Sequence, residues 1–282
     1  MKDFKPMLAH VYTDDNQIDW GQPVYMQPKL DGVRCIFTKD GAFSRTGKRF
    51  MNVKHIEAQL QDLFKHSPHL ILDGELYNHR LKDDFEKIIS LVRKQKPTVE
   101  DKLEACRLIQ YHVYDYTGQK PNLLENLKYK SRQDNLTCSD IYCPSIHYTA
   151  TKRVATPAMI KVLHQDFLDK GYEGSIIRLN GEYEQKRSKN LLKVKDFSDS
   201  EAKITNWVEG KGKRKGTIGK FIAVDSEGME FGMPVMDNFK FLQKNFNKMK
   251  KWVGRTATFT YFERTKRGSY RHPLFKCLRN YE

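Results

Sequence analysis

The apolar positions of this chain come in short runs with two different periods. "VRCIFTKDGAFSRTG" (33–47) places two apolar runs around Asp40-Gly41, which predicts a hairpin, since that dipeptide suits a tight turn. Ile56, Leu60 and Phe64 repeat at helical spacing and predict a helix near residues 53–65. "HLILDGELY" (69–77) and "RLIQYHVYDY" (107–116) read as strands. Strict alternation along the second puts Tyr111, Val113 and Asp115 on one face, with His112, Tyr114 and Tyr116 on the other. Residues 121–145 are polar and predict no element. In "TPAMIKVLHQDFLDKGYEG" (156–174), Thr156 can cap a helix, Pro157 fits its first turn, and Ile160, Leu163 and Phe167 share a face. "GSIIRLNGEYE" (174–184) returns to strand character with Asn180-Gly181 as a hairpin turn, and "NLLKVKDF" (190–197) is a further strand.

The pattern changes after Phe197. "EAKITNWVEG", "TIGKFIAVDSEGMEFGM" and "GRTATFTYFE" read as strands of a small sheet, with a turn at Ser226-Glu227-Gly228 and a polar helix near residues 238–250. Four or five short strands with one helix predict a small barrel. The polar stretch "DFSDS" (196–200) marks the boundary, giving an α+β chain of two domains, 1–197 and 198–282.

Composition narrows the class of partner. The chain has 282 residues and a net charge of +15. Residues 198–282 hold 18 Lys or Arg against 9 Asp or Glu, a balance of +9, so the longer first part supplies +6. Such an excess favours a polyanion. No apolar run approaches the roughly 20 residues that span a bilayer, and "MKDFKPMLAH" lacks the apolar centre of a signal peptide. An intracellular protein away from membranes is expected. The five cysteines are odd in number and mostly widely spaced, which predicts reduced thiols without a zinc site. His112, His147 and His164 form no metal-like grouping.

Four clusters carry candidate chemistry. "KLDGVR" (29–34) sets Lys29 beside a glycine and two charges. A lysine is a nucleophile only when deprotonated, which nearby cations promote and an aspartate opposes, so Asp31 suits positioning or proton transfer. Gly32 permits a tight bend, and Arg34 offers a phosphate-gripping fork. The same hexapeptide also suits a solvent-facing hairpin. "SRTGKR" (44–49) offers the hydroxyls of Ser44 and Thr46 and the forks of Arg45 and Arg49; it is not a P-loop, and it also suits a polar loop. "DGELY" puts Asp73 and Glu75 on one side of a strand, and Glu173 in "YEGSII" adds a carboxylate; together they can hold magnesium against phosphate oxygens. "LLKVK" gives Lys193 and Lys195 one strand face, which can neutralise a triphosphate. Tyr114 can stack under a nucleobase or serve a core.

In order, "KLDGVR", "SRTG", "DGELY", "VYDY", "EGSII" and "LLKVKDF" resemble the motifs of the covalent nucleotidyltransferases, most closely the ATP-dependent DNA ligases of the compact viral type. The likeness covers nearly the whole chain. It implies an adenylyltransferase domain, ATP-grasp-like with antiparallel sheets and helices, followed by an OB-fold β-barrel. It also implies that Lys29 takes AMP from ATP, passes it to the 5′-phosphate of a nick, and that a 3′-hydroxyl then expels it. Glu75 would bind ribose or orient metal, Glu173 would hold metal, and Tyr114 would stack on adenine. Lys193 and Lys195 would contact phosphates, with Asp31 and Arg34 assisting, and Gln27 and Arg49 would join the nucleotide-binding set. Arg45, Thr46, Arg187 and Arg271, the last in "RHPLF", would serve DNA. The implied cofactors are ATP and Mg²⁺, with Mn²⁺ as a substitute; the implied partner is nicked duplex DNA, met by a monomer without an obligate protein partner.

Two features depart from the family pattern. "NWVEGKGKRKGTIG" (206–219) is too short for the long OB insertion that closes around DNA in many members; its Lys211, Lys213, Arg214 and Lys215 are expected against backbone phosphates. Tyr114 stands where phenylalanine is common. RNA ligase and messenger-cap guanylyltransferase share this lysine chemistry, and a non-catalytic basic binding module shares the composition.

Overall fold

The computed structural model describes residues 4–118, 127–137, 144–194, 197–262, 264–265 and 268–279. Lys195, Cys138 and Cys143 lie outside the described residues. The chain divides into two compact units, Met1–Val194 and Lys195–Glu282.

The first unit contains two five-stranded sheets. Its strands are β1 (Leu8–Val11), β2 (Val24–Lys29), β3 (Val33–Thr38), β4 (Gly41–Phe43), β5 (Leu70–Tyr77), β6 (Gln110–Gly118), β7 (Ile146–Tyr148), β8 (Lys152–Val154), β9 (Gly174–Leu179) and β10 (Arg187–Val194). One sheet has the order β1-β10-β9-β2-β8, the other β4-β3-β5-β6-β7. β2 and β3 are four residues apart in sequence yet belong to different sheets, so "KLDGVR" is the crossing between them and not a solvent-facing hairpin. The predicted hairpin from β3 to β4 is present, but its two-residue turn is Lys39-Asp40, one position earlier than expected, because Gly41 already pairs with Thr38; Gly41 takes φ 116°, a conformation that favours glycine. The sheets are not wholly antiparallel as expected: β1 runs parallel to β10, and β7 parallel to β6. Asn180-Gly181 is no two-residue hairpin turn, because β9 ends at Leu179 and β10 begins only at Arg187.

Helices cover these sheets. α1 (Lys54–Gln59) and α2 (Gln61–His66) replace the single predicted helix and meet at the fully buried Leu60. α3 (Phe85–Val92) and α4 (Val99–Leu108) lie where the pattern predicts nothing. Each is marked by a cap: Asp84 accepts from the amide of Lys87 at 3.2 Å, and Thr98 with Asp101 forms a reciprocal capping box. α5 (Tyr129–Thr137) falls in the stretch read as irregular and buries Tyr129 and Arg132. α6 (Pro157–Asp169) follows its prediction, with Thr156 accepting from the amide of Met159 at 3.4 Å. It lays Ile160 and Phe167 against Met26 and Ile177 of the first sheet. The other sheet shares its core with α1 to α4, where Leu60, Ile88 and Tyr111 meet Phe37 and Leu76. Each such buried side chain contributes roughly 1.5–3 kcal/mol.

A bulge in β6 alters the predicted alternation. Pairing with β5 shifts between Asp73↔Asp115 and Gly74↔Val113, which leaves Tyr114 as the extra residue. Tyr111, Val113 and Tyr116 then share the core, while Tyr114 and Asp115 both reach Arg178 of β9. A bulge re-aims side chains in this way.

The second unit is one antiparallel sheet of β11 (Ser198–Glu209), β12 (Ile218–Val224), β13 (Glu230–Pro234), β14 (Thr256–Tyr261) and β15 (Leu274–Leu278), ordered β13-β12-β11-β14-β15. Among the described residues its pairings run from one edge to the other without closing a barrel. The predicted polar helix is two short ones, α7 (Phe239–Lys244) and α8 (Phe246–Lys250), joined at Asn245. They set Leu242 and Met249 into a core with Ile204, Phe221 and Phe259.

Candidate active site

Lys29 is the last residue of β2, opposite Gly174 of β9, and its carbonyl accepts from the amide of Glu173 at 3.1 Å. Its ammonium forms an ion pair with the Glu173 carboxylate. Beyond it the chain must approach β5 closely. A Cβ at Gly32 would lie 2.8 Å from Glu75 Cγ and closer still to the Leu76 carbonyl oxygen, so only glycine fits without displacement. That approach is what brings the amine and Glu75 to one place.

A cavity of about 270 Å³ opens there. Lys29, Glu75, Tyr114 and Lys193 line it, as do the forks of Arg34, Arg45 and Arg187. Lys193 comes from β10, beside Ile176 of β9. Arg34 donates to Asp73 through Nε at 2.9 Å and Nη2 at 2.5 Å, and the Tyr183 hydroxyl donates to the same carboxylate at 2.5 Å. Asp73 thus anchors Arg34 and does not itself line the cavity. Glu75 sits opposite Arg34 across the strand pair. Burial raises its pKa from 4.5 to about 8; Lys29 and Arg34 oppose this, while Asp73 and Glu173 add to it. The Tyr114 hydroxyl reaches Glu75 at 3.5 Å, and the guanidiniums of Arg34 and Arg178 stand 5.7 Å and 5.2 Å from the Tyr114 ring.

Gln27 lines the cavity but is 2% exposed and held on all sides. Its amide nitrogen donates to Thr151 Oγ1 at 2.8 Å and the Tyr129 hydroxyl at 3.0 Å, and its oxygen accepts from Arg178 Nε at 2.6 Å. Arg178 also donates to Asp115 at 2.7 Å, and Arg132 binds the same carboxylate at 2.7 and 3.2 Å. The two arginines hold Asp115 below the usual carboxylate range despite its burial. Sequence reasoning missed this buried cluster; the only sign of it was an aspartate within an aromatic strand.

Other predicted residues lie elsewhere. Arg49 does not reach this cavity: it lines a separate one with Glu57 and Lys54 and donates to the Asp40 carbonyl, because the β3–β4 hairpin carries it away. Asp31 is half-buried and does not line the cavity. Thr46 is exposed, its hydroxyl 3.1 Å from that of Ser44. Arg187 donates to the Ala9 carbonyl at the cavity edge. In the second unit Lys211, Lys213 and Lys215 are exposed around a short turn, whereas Arg214 is half-buried and donates to the Val235 carbonyl at 3.1 Å. Arg271 is half-buried 5.8 Å from the Phe262 ring. Among the described residues no group of three or more His, Cys, Asp or Glu is arranged to hold a metal.

The chain is similar to known proteins over most of its length. Residues 6–195 match the family model described as the ATP dependent DNA ligase domain, and residues 209–279 match the DNA ligase OB-like domain. The chain is 27% identical over 223 residues to a DNA ligase of Haemophilus influenzae, covering 79% of this chain and 75% of that one. To the DNA ligase of Enterobacteria phage T4 it is 24% identical over 230 residues, covering 64% of this chain and 46% of the phage protein, so it spans about half that relative's length. Among solved structures, one from a study of Lig E DNA ligases aligns with a TM-score of 0.78 at 23% identity, over 97% of this chain and 99% of that one. Chlorella virus DNA ligase-adenylate aligns at 0.52 and 22%, over 99% of each chain, a likeness of fold.

Proposed function

We propose that Lys29 carries AMP in this chain, which belongs to the family of ATP-dependent DNA ligases. The observation that supports the assignment is one cavity that gathers Lys29, Glu75, Tyr114 and Lys193 from four different strands. An ammonium tied to a carboxylate does not attack, so the Lys29–Glu173 pair parts as nucleotide enters and the amine gives up a proton. Lys29 Nζ then attacks the α-phosphorus of ATP; the bond to the bridging oxygen breaks and pyrophosphate leaves. Lys193 and Arg34 face the charge that builds on phosphoryl oxygens. In the second step an oxygen of the 5′-phosphate displaces the amine, which regains its proton. In the third, the 3′-hydroxyl attacks that phosphate and AMP departs, sealing the strand. Arg45 and Arg187, exposed at the cavity, suit the 5′-phosphate.

Glu75 and Glu173 fit a magnesium ion, which takes one or two carboxylates and completes its shell with water and phosphate oxygens. When bound, such an ion neutralises triphosphate charge. The raised pKa of Glu75 accords with a carboxylate built to meet a further cation. The protein is read as a monomer acting on nicked duplex DNA. It has no helix among its described residues long and apolar enough to cross a membrane. Incubation with α-labelled ATP and magnesium tests the assignment: covalent label on the unaltered chain and none on Lys29→Ala are expected, and label that survives the substitution removes Lys29 from this role.

A further inference from the structure

The first unit holds a second cavity, larger than the nucleotide cavity and sharing no lining residue with it. Its volume is about 510 Å³, inside the range of roughly 300–1,000 Å³ usual for small-molecule sites. The β3–β4 turn contributes one side, and α1 and α2 contribute the other. Lys39, Arg49, Lys54 and Lys65 line it with two carboxylates, Asp40 and Glu57, an excess of +2. The buried Phe37 and Phe64 also border it, and apolar surroundings strengthen each charge there.

Glu57 organises the cations. Its side chain is 16% exposed. The carboxylate accepts from the Ala42 amide at 3.2 Å, from Lys54 Nζ at 2.5 Å, and from Arg49 Nη2 at 3.4 and 3.5 Å. Arg49 Nη1 donates to the Asp40 carbonyl, so both terminal nitrogens of the fork are held. Gly41 makes room for it: a Cβ there would lie 2.7 Å from Arg49 Cζ and 2.9 Å from Glu57 Oε1. Lys39 and Lys65 are exposed and make no hydrogen bond or ion pair among the described residues. Glu57 is already shared by three donors, which leaves these two lysines to meet an anion from outside.

Four cations around one hollow suit a ligand with several anionic oxygens, and an arginine fork among lysines matches phosphate. We propose that this cavity is a second phosphate-binding site, in which Lys39, Arg49, Lys54 and Lys65 donate to phosphate oxygens. The phosphate belongs either to a free polyphosphate or to a nucleic-acid backbone; both present the same oxygens to the same donors. The inference goes beyond the ligase reading and does not depend on the role of Lys29.

The test is acetylation footprinting of the full chain, read by mass spectrometry, with sodium tripolyphosphate, with nicked duplex DNA, or with sodium chloride at matched ionic strength. At least one of the first two should protect Lys39, Lys54 and Lys65 several-fold more than chloride does, while the exposed Lys161 of α6 reacts alike throughout. In Lys39→Ala/Lys65→Ala the concentration of that ligand which half-protects Lys54 should rise about 5- to 20-fold, as the loss of two partly exposed ion contacts allows. The thermal transition of this variant should match that of the parent. Protection by tripolyphosphate alone assigns a free polyphosphate. Protection by the duplex, lost when its backbone is replaced by neutral methylphosphonate, assigns the backbone. Protection no greater than that of chloride from either ligand, or an unchanged Lys54 response in the variant, overturns the inference and leaves the ligase reading intact. Failure of ATP to label Lys29 while this cavity still protects overturns the ligase reading alone.

Discussion

Replacing Glu75 by glutamine should make the nucleotide-free protein more stable at alkaline pH while disabling it. Burial raises the Glu75 pKa from 4.5 to about 8. Between those values the folded chain keeps a proton that the unfolded chain releases, so stability falls as pH rises. The contribution is full below pH 4.5 and is lost as pH climbs through about 8. At about 1.4 kcal/mol per pH unit, the interval from 4.5 to about 8 sets a ceiling of about 5 kcal/mol. Glu75 is partly exposed at the cavity, and solvent screening reduces this to on the order of 1–3 kcal/mol. Glutamine mimics the neutral acid at every pH. The variant should match the parent near pH 5 and exceed it at pH 9, with a first thermal transition higher by roughly 2–10 °C for a unit of this size. Circular dichroism of the full chain at both pH values, without nucleotide, measures this. Magnesium at pH 8 should raise the transition of the parent and not of the variant. Equal pH dependence in the two proteins, or a less stable variant at pH 9, would refute the reasoning.

Asp115→Asn leaves two buried guanidiniums facing a neutral group and should cost about 3–5 kcal/mol; urea unfolding measures it, and a loss below 1 kcal/mol counts against the cluster as an anchor. Gly32→Ala forces a Cβ to within 2.8 Å of Glu75 Cγ and should cost about 1–3 kcal/mol while slowing self-labelling; a variant that labels at the parental rate contradicts the close-approach argument. Combined replacement of Lys211, Lys213 and Lys215 by alanine should weaken binding to nicked duplex and reduce the slope of log affinity against log salt by roughly 2–3. An unchanged slope would remove these lysines from phosphate contact.

The parts of the fold legible in the sequence are those whose signals are local. The β3–β4 hairpin, displaced by one residue from its expected turn, and the α6 helix with its Thr156 cap each follow from a few adjacent residues. So do the strands holding Glu75, Tyr114 and Lys193. What was not legible depends on pairing. The β6 bulge exists because β5 and β6 shift register, and alternation alone assigned Tyr116 to the wrong face. Asn180-Gly181 has hairpin composition, but the partner strand begins only at Arg187, so composition could not disclose the longer path. Arg49 sits four residues from Arg45, yet the chain turns between them and only Arg45 reaches the cavity.

The crossing at residues 29–34 explains why so short a stretch holds so much of the site. Within one sheet, only paired positions on neighbouring strands share a face, so those strands alone would bring a nucleophile groups from its own sheet. Here β2 ends in one sheet and β3 begins in the other. Lys29 therefore takes Glu173 from the residue just before β9 and Lys193 from β10 of its own sheet, and Glu75 and Tyr114 from the opposing one. Gly32 sets the gap between the layers, since any side chain there would push β5 away. The buried Asp115 cluster adds the second tie, joining Arg178 of the first sheet to β6 of the second and to Arg132 of α5. An isolated guanidinium at that depth would be costly, and the shared carboxylate offsets this only while all three groups stay in place. The position of the amine is thus fixed by contacts made far along the sequence, from 73 to 193, and not by the hexapeptide that first draws attention to it.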